Sequence, residues 1–253
     1  MKKELEKIKN LWGFWRMGNI NADEIKYRVK EMGADLCGIA SVERFADAPA
    51  GFHPTDILKE CKSVIVIAVR IPISMFDSSS QGIYTFAHYR VFDKINSITF
   101  NLTEKLEKYG ISAVPVPASE PYEYWDEGRR HGQGILSLKH AAVRAGLGIM
   151  GKNTLLINEQ FGNILLLGAV LSNKEFEPDE MAAYQACIPG CRICLDNCPA
   201  SALDGNTLEQ YKCRSVCGKT TDGGGFVYTC NLCRTLCPHK QGVRPLGLQK
   251  TAL

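Results

Sequence analysis

Apolar positions along the chain predict alternating helices and short strands. The clearest strand is the run Ser63–Arg70 (SVIVIAVR), which is rich in β-branched residues and lacks a polar face. It is therefore predicted to be buried on both sides. A second apolar run covers residues 163–172, and a long helix is predicted near residues 83–109, where Gly110 ends it. This order predicts an α/β or α+β body.

Shorter elements follow from local signals. Asn21 is a predicted N-cap with Glu24 three residues on, and Gly33 ends that helix. The short glycine-containing connection before residue 163 predicts that the last two strands form a hairpin. Residues 118–132 are predicted to be irregular. The further predicted helices cover 3–18, 21–32, 53–61 and 134–145, and the further strands cover 34–40, 111–116 and 154–158.

Composition and charge narrow the class of protein. The 253 residues are 45% hydrophobic and 23% charged, which is ordinary for a globular protein. The net charge of +3 neither requires nor excludes an RNA partner. No apolar run reaches the ~18 residues of a membrane span, and the charged start MKKELEKIKNLW lacks the apolar core of a signal peptide. We therefore expect no membrane partner, and the many cysteines, as expected thiolates, predict a reducing, cytoplasmic setting.

Nine of the 11 cysteines lie in one C-terminal stretch with the spacing of iron–sulfur ligands. Bacterial two-cluster ferredoxins repeat Cys-x2-Cys-x3-Cys-Pro, and the cysteine before proline binds the other cluster. Crossed ligation predicts one [4Fe–4S] cluster on Cys187, Cys191, Cys194 and Cys237. It predicts a second on Cys198, Cys230 and Cys233, with either Cys213 or Cys217 as fourth ligand; of these two we name Cys213.

Three other interpretations of the cysteines compete. Disulfides concentrate in small secreted chains, whereas this chain is large. Zinc ribbons use Cys-x2-Cys pairs without the repeated x3-Cys-Pro ending. A redox Cys-x2-Cys needs a βαβ context, but this region is rich in loops. Iron–sulfur chemistry is therefore favoured in a reducing compartment. Cys37 and Cys61 lie among apolar residues and are predicted to be inert core thiols.

A glycine-rich segment at residues 140–171 carries a second signal. Gly146, Gly148 and Gly151 cluster where a helix ends, and Lys152 and Asn153 follow them. Closely spaced glycines let the backbone approach a ligand or adopt positive φ. The segment follows a helix rather than a strand, so it fails the dinucleotide-binding pattern, and it also fails the P-loop pattern. Spacing alone favours a helix cap followed by a strand.

RAGLGIMGKNTLLIN and FGNILLLGAVL resemble the core motif of the epoxyqueuosine reductase family, and ADLCGIA and KECKSVIVIAV resemble its N-terminal part. The likeness runs from about residue 21 to residue 238. The family is related to the reductive dehalogenases, and both use cobalamin with two [4Fe–4S] clusters. The resemblance implies an α/β (α+β) body of the corrinoid-binding type and a C-terminal ferredoxin-like domain. The residues that it places at the corrinoid are Gly146, Gly148, Gly151, Lys152, Asn153 and Gly162.

Two departures from the family affect the expected substrate. Family members carry an aspartate, proposed as proton donor, that residues 114–121 lack; Glu120 is the nearest carboxylate. Tyr122 is a second candidate, because tyrosine donates the proton in reductive dehalogenases. We also expect the chain to lack the family's C-terminal helical-repeat extension, which is associated with tRNA binding. We therefore expect a small-molecule or nucleoside-like substrate and consider tRNA doubtful.

The expected organisation is a corrinoid- and substrate-binding body at residues 1–178 and a two-cluster domain at residues 179–253. An external donor of the ferredoxin or flavodoxin type would supply electrons, and the clusters would pass them to the corrinoid. The alternative hypothesis is a non-catalytic electron carrier, or an activator that reduces corrinoids without binding its own cobalamin. A zinc-binding nucleic-acid module is a third hypothesis, which the low net charge and the Cys-Pro endings disfavour.

Overall fold

The computed structural model describes residues 20–243, so the helix predicted at 3–18 lies outside the described residues. In chain order the elements are α1 (Ala22–Glu31), β1 (Leu36–Ser41), α2 (Pro54–Ile57), β2 (Ser63–Arg70), α3 (Gln81–Glu107), β3 (Ala113–Val116), β4 (Tyr124–Asp126), β5 (His131–Gln133), α4 (Leu138–Arg144), β6 (Ile149–Met150), β7 (Leu156–Ile157), β8 (Leu165–Ser172), α5 (Ile193–Asp196), α6 (Gln210–Val216), β9 (Gly218–Thr220), β10 (Phe226–Tyr228) and α7 (Leu232–Thr235). Short 3-10 turns lie at Val42–Phe45 and Ile73–Phe76.

The centre of the fold is a four-stranded sheet in the order β1-β2-β8-β3, with every neighbouring pair antiparallel. Side chains alternate along β2 because a strand has a period of two. Ile65 and Ile67 pack into the core that α1 and α3 share. Val64 and Val66 pack into a second core with α4 on the opposite face. The prediction that this strand is buried on both faces is confirmed, and the fold is mixed α/β.

The two main helices follow their sequence signals. The Asn21 side chain accepts the Glu24 backbone N–H at 2.9 Å at the start of α1. Gly33 and Gly110, at φ +99° and +71°, follow α1 and α3 in the left-handed region that favours glycine. The predicted helix at 53–61 is shorter, because the backbone becomes extended at Leu58. Within residues 20–243, no helix combines the length and apolar character needed to cross a bilayer.

Two expectations about local pairing are wrong. The hairpin predicted from 154–158 and 163–172 does not form, since β7 pairs with β6 while β8 pairs with β2 and β3. A single bridge between Asn158 and Gly162 remains at the turn. All residues of β8 are buried, and a strand can bury the side chains of both its faces only at the centre of the sheet, where both faces are covered. Residues 118–132, predicted as irregular, contain the exposed hairpin β4–β5.

The acidic segment after β8 is anchored on the body. The Asp179 carboxylate accepts the Ile39 N–H at 2.9 Å and pairs with Lys26 at 2.6 Å. The Asp179 backbone N–H donates to the Ile39 carbonyl, and Arg44 donates to the Asp179 carbonyl at 2.7 Å. Residue 179 therefore extends the edge of β1 before the chain enters the cysteine region. The domain boundary after residue 178 stays a prediction.

This anchor makes Asp179 a test of how the cysteine region is tied down. Asp179→Ala removes the acceptor of a backbone N–H and the partner of Lys26, so we expect about 1–3 kcal/mol lower free energy of unfolding. Asp93→Ala is the control, because it also deletes an acid from an ion pair, but the Arg90–Asp93 pair is largely exposed. The control should change stability by less than about 0.5 kcal/mol in urea unfolding. Equal effects of the two substitutions would contradict the anchor.

Candidate functional site

Thiols from both ends of the cysteine region meet in one pocket. Four cysteines, called here the first thiol group, line it together with Lys152, Asn153 and His239: Cys187, Cys191, Cys194 and Cys237. Burial, together with the neighbouring thiols of Cys187, Cys194 and Cys191, raises the pKa of Cys237 to about 11. The structure therefore brings together the four side chains that crossed ligation assigns to one cluster.

The remaining predicted ligands form a second thiol group: Cys198, Cys213, Cys230 and Cys233. Burial raises the pKa of the Cys233 thiol, and the neighbouring thiols of Cys230 and Cys198 act in the same direction. The Ala202 N–H donates to the Cys198 sulfur at 3.3 Å. Cys198 thus lies with the later cysteines although its motif begins at Cys187.

Cys213 and Cys217 have different surroundings. The Cys213 thiol contacts Cys217 and lies near Cys233 and Cys198. Cys217 contacts Cys213, and its charged neighbours are Arg214 and Arg130. The hydrogen bond between the two thiols, together with burial, raises the pKa of Cys213, whereas the same bond lowers the pKa of Cys217. Of the two, Cys213 faces the other thiols.

The spacing of these thiols bears on what they can bind. Among residues 20–243, no three His, Cys, Asp or Glu side chains approach each other as the ligands of a single metal ion do. A [4Fe–4S] cube binds four thiolates on four different irons, so its ligands are farther apart than the ligands of a single metal ion. All 11 cysteines are free thiols. Buried thiols with raised pKa values become thiolates when a cation compensates the charge.

One short turn of the body holds both cysteine loops, and we call residues 151–153 the Gly-Lys-Asn turn. The Lys152 N–H donates to the Cys187 sulfur at 3.5 Å, and its ammonium donates to the Cys191 carbonyl at 2.9 Å. The buried Asn153 amide donates to the Cys233 carbonyl at 2.9 Å. This turn therefore fixes the position of each thiol group relative to the other.

The glycines that the resemblance places at a corrinoid are packed against the chain itself. A Cβ atom on Gly146 would lie 2.1 Å from the Glu180 carbonyl oxygen, and one on Gly162 would lie 2.0 Å from that of His239. Gly148 and Gly151 are similarly close to Ile157. Close packing of protein on protein thus explains these glycines. Their contact with a corrinoid, like that of Lys152 and Asn153, stays a prediction that these contacts do not support.

Two basic residues near the second thiol group were not found from the sequence. Arg234 is buried and donates to the Asn163 carbonyl, and the Asn163 amide donates back to the Arg234 carbonyl. Lys139 donates to the Thr154 carbonyl at 2.7 Å, and burial lowers its pKa. Both lie near Cys233, where their charges would stabilise thiolates. The only sequence signal was the position of Arg234 directly after Cys233.

The two candidate proton donors lie in different environments. Glu120 is exposed in the segment between β3 and β4. The Tyr122 ring stacks on Trp125 with centroids 6.1 Å apart, and the Arg214 guanidinium lies over both rings, 5.7 Å from the first and 4.9 Å from the second. Arg214 belongs to α6, which also carries Cys213, so the structure brings Tyr122 to the helix of the second thiol group. Both catalytic roles stay predictions.

The packing of Gly146 predicts a loss of stability that needs no cofactor. Gly146→Ala puts a side chain at φ +73° and against the Glu180 carbonyl. We expect cofactor-free protein to lose about 2 kcal/mol or more of unfolding free energy. Gly223→Ala is the control, since a Cβ there meets no atom within 4 Å. Unchanged thermal unfolding of the Gly146→Ala variant would leave ligand contact as the explanation of this glycine.

The Asn153 hydrogen bond predicts how iron bound at the second thiol group responds to substitution in the Gly-Lys-Asn turn. Asn153→Ala leaves the Cys233 carbonyl without its buried donor, so iron from the second site should be lost several-fold faster, as expected for about 1 kcal/mol. Asn197→Ala is the control, because its amide also donates to a carbonyl at 2.9 Å but is exposed. Loss of visible absorbance in the presence of an iron chelator measures both rates. Equal rates for the two variants would contradict the role of the turn.

The chain is similar in sequence to known enzymes. No family profile matches the chain. The epoxyqueuosine reductase of Staphylococcus aureus is 38% identical over 238 residues, which cover 87% of this chain and 59% of that protein. The epoxyqueuosine reductase of Bacillus cereus is 28% identical over 261 residues, covering 88% of this chain and 65% of that protein. The chain thus spans about three fifths of the length of these relatives.

Solved structures share the fold. An epoxyqueuosine reductase in complex with an epoxyqueuosine-modified tRNA-Tyr stem loop superposes with a TM-score of 0.62 at 23% identity, covering 87% of this chain and 65% of that one. A reductive dehalogenase superposes with a TM-score of 0.53 at 17% identity, covering 76% of this chain and 27% of that one.

The first of these structures corrects an expectation. Doubt about tRNA, and the preference for a small-molecule or nucleoside-like substrate, were wrong, because an epoxyqueuosine reductase with this fold binds a modified tRNA stem loop. The chain is a homologue of the epoxyqueuosine reductases, at 24–38% identity over about 88% of its length, with a mixed α/β fold that matches both those enzymes and the reductive dehalogenases.

Proposed function

We propose that this protein is an oxidoreductase that reduces epoxyqueuosine in tRNA and that it uses two [4Fe–4S] clusters and a corrinoid. The observation that carries the proposal is the meeting of Cys237 with Cys187, Cys191 and Cys194 in one pocket. Crossed ligation requires this arrangement, and it occurs in a chain homologous to epoxyqueuosine reductases. Because the chain spans about three fifths of those relatives, the activity, substrate and partner are proposals for this chain.

The thiol groups support a two-cluster, ferredoxin-like region after residue 178. The first group would hold one cluster and the second group, with Cys213 as its fourth ligand, would hold the other. Each cluster, when bound, accepts and releases single electrons. So many thiolates suit a reducing compartment, which supports a cytoplasmic location.

Residues of the body supply hydrogen bonds and positive charge to these sites. The Lys152 N–H bonds the Cys187 sulfur, and hydrogen bonds to cluster sulfurs are one determinant of reduction potential. The cationic groups of Lys139 and Arg234 lie near the second thiol group. They would offset the negative charge that an added electron brings. The body is therefore expected to make both clusters easier to reduce.

The corrinoid is proposed because the fold is similar to that of a reductive dehalogenase whose structure suggests a mechanism for B12-dependent dehalogenation. The six residues that the resemblance assigns to it do not fit that role. Gly146, Gly148, Gly151 and Gly162 contact the chain itself, and the side chains of Lys152 and Asn153 bind the cysteine loops.

An exposed aromatic surface supports an RNA substrate. Tyr122 and Trp125 are 37% and 44% exposed, and Arg214 lies over both rings. Proteins bind unpaired RNA bases by stacking them on aromatic rings and guanidinium planes. The β4–β5 hairpin offers such a surface beside α6, the helix that carries Cys213. A loop of tRNA fits this surface better than a duplex does.

Anaerobic purification and a tRNA assay test the proposal. Reconstituted protein should contain about eight irons and one corrinoid. With dithionite and a viologen as reductant, it should convert epoxyqueuosine to queuosine in tRNA, as measured by mass spectrometry of the digested nucleosides. Protein loaded with iron but without cobalamin is the control and should give no queuosine.

Two outcomes would contradict the proposal. A protein with two clusters that takes up no corrinoid and gives no queuosine would be the electron carrier or activator of the alternative hypothesis. A protein that binds zinc and no iron would exclude both.

A further inference from the structure

The cysteine region contains one thiol more than two clusters use. Residues 187–237 hold nine cysteines, and two [4Fe–4S] cubes take eight thiolate ligands. Cys217 is the ninth. Unlike Cys37 and Cys61, which are buried in the body, it is half-exposed and lies beside a predicted ligand.

We propose that Cys217 is a reserve ligand of the second cluster, able to take the iron of Cys213 when Cys213 is lost or leaves the metal. The proposal rests on the two-cluster assignment above. It gives a chemical role to a cysteine that the eight-ligand pattern leaves without one.

The geometry of α6 places the two thiols together. Cys217 caps the C-terminus of this helix, and its N–H donates to the Cys213 carbonyl at 2.9 Å. Residues one helical turn apart lie on the same face, and here the two thiols are hydrogen-bonded to each other. The Cys217 sulfur is therefore a neighbour of the sulfur that would bind iron.

The surroundings explain why Cys213 comes first and Cys217 second. Cys213 faces Cys198 and Cys233 of the second thiol group, whereas Cys217 lies on the side of Arg214 and Arg130. Cys217 also lies at the helix end, where terminal residues adjust most easily.

The exchange is balanced without an oxidant or a reductant. The bond from iron to the Cys213 sulfur breaks and a bond from iron to the Cys217 sulfur forms. Cys213 takes up the proton that Cys217 releases, so the oxidation state of the cluster does not change. In a Cys213 variant, the proton goes to solvent.

Iron content separates the reserve ligand from an ordinary thiol. Cys213→Ala and Cys217→Ala should each keep about eight irons, and the double variant should keep about four. Cys230→Ala is the matched control, because it also removes a ligand of the second group. The neighbour of Cys217 is Cys213 and not Cys230, so Cys217 should not replace Cys230, and this variant should keep about four irons. Electron paramagnetic resonance of dithionite-reduced protein should show an altered second cluster in Cys213→Ala and an unaltered one in Cys217→Ala.

Alkylation of the folded holoprotein gives an independent readout. Iodoacetamide should label Cys217 in the wild type, and this label should be lost in Cys213→Ala because the thiol then binds iron. Cys213→Ser is labelled in parallel. It keeps the size of the side chain, so it distinguishes loss of the ligand from a folding defect of the alanine variant.

Several outcomes would overturn the inference. These are a fall to about four irons in both Cys213 variants with Cys217 still labelled, the same fall in Cys217→Ala alone, or a double variant that keeps all its iron. Absence of iron from the wild-type protein is a different result, because it contradicts the two-cluster assignment itself.

Discussion

The hydrogen bonds of the Gly-Lys-Asn turn are the contacts on which the site depends. Lys152 binds the loop of Cys187 and Cys191, and Asn153 binds the loop of Cys233. Crossed ligation needs Cys237 to keep a fixed position beside Cys187, Cys191 and Cys194, which precede it by 43–50 residues. The cysteine loops have little regular structure of their own, so a rigid partner must hold them. The body supplies that partner, because its sheet is covered on both faces and its glycines pack closely against the cysteine region.

Crowding of thiols is the cost of this arrangement. Burial and neighbouring thiols raise the pKa values of Cys194, Cys233 and Cys237. Without a cation these groups stay protonated, whereas bound iron would convert them to thiolate ligands and release protons. Folding of the region and loading of the metal are therefore coupled. The nearby charges of Lys139 and Arg234 act in the same direction as the metal.

Close approach of the backbone explains a motif that resembles a ligand cradle. Gly146 meets the carbonyl of Glu180, and Gly162 meets that of His239. The first contact joins the end of α4 to the segment that Asp179 anchors, and the second joins the body to the chain that follows Cys237. These glycines therefore hold the cysteine region on the body. The sequence does not distinguish a glycine that leaves room for a ligand from a glycine that leaves room for another segment of the same chain.

The sequence alone determined the elements whose signals are local. Ser63–Arg70 has no polar face, Asn21 and Gly33 bound a helix, and the two Cys-Pro endings fix which thiols must cross. Tertiary structure decided what depends on partners far along the chain. β8 pairs at the centre of the sheet and not in the predicted hairpin. Lys152 and Asn153 donate hydrogen bonds to the cysteine loops, and Arg234 is buried beside Asn163. Cys213 and Cys217 were equivalent by spacing, and only their different neighbours in the folded chain distinguish them. Local patterns record the conformation of a segment, whereas hydrogen bonds between distant segments exist only after the chain has folded.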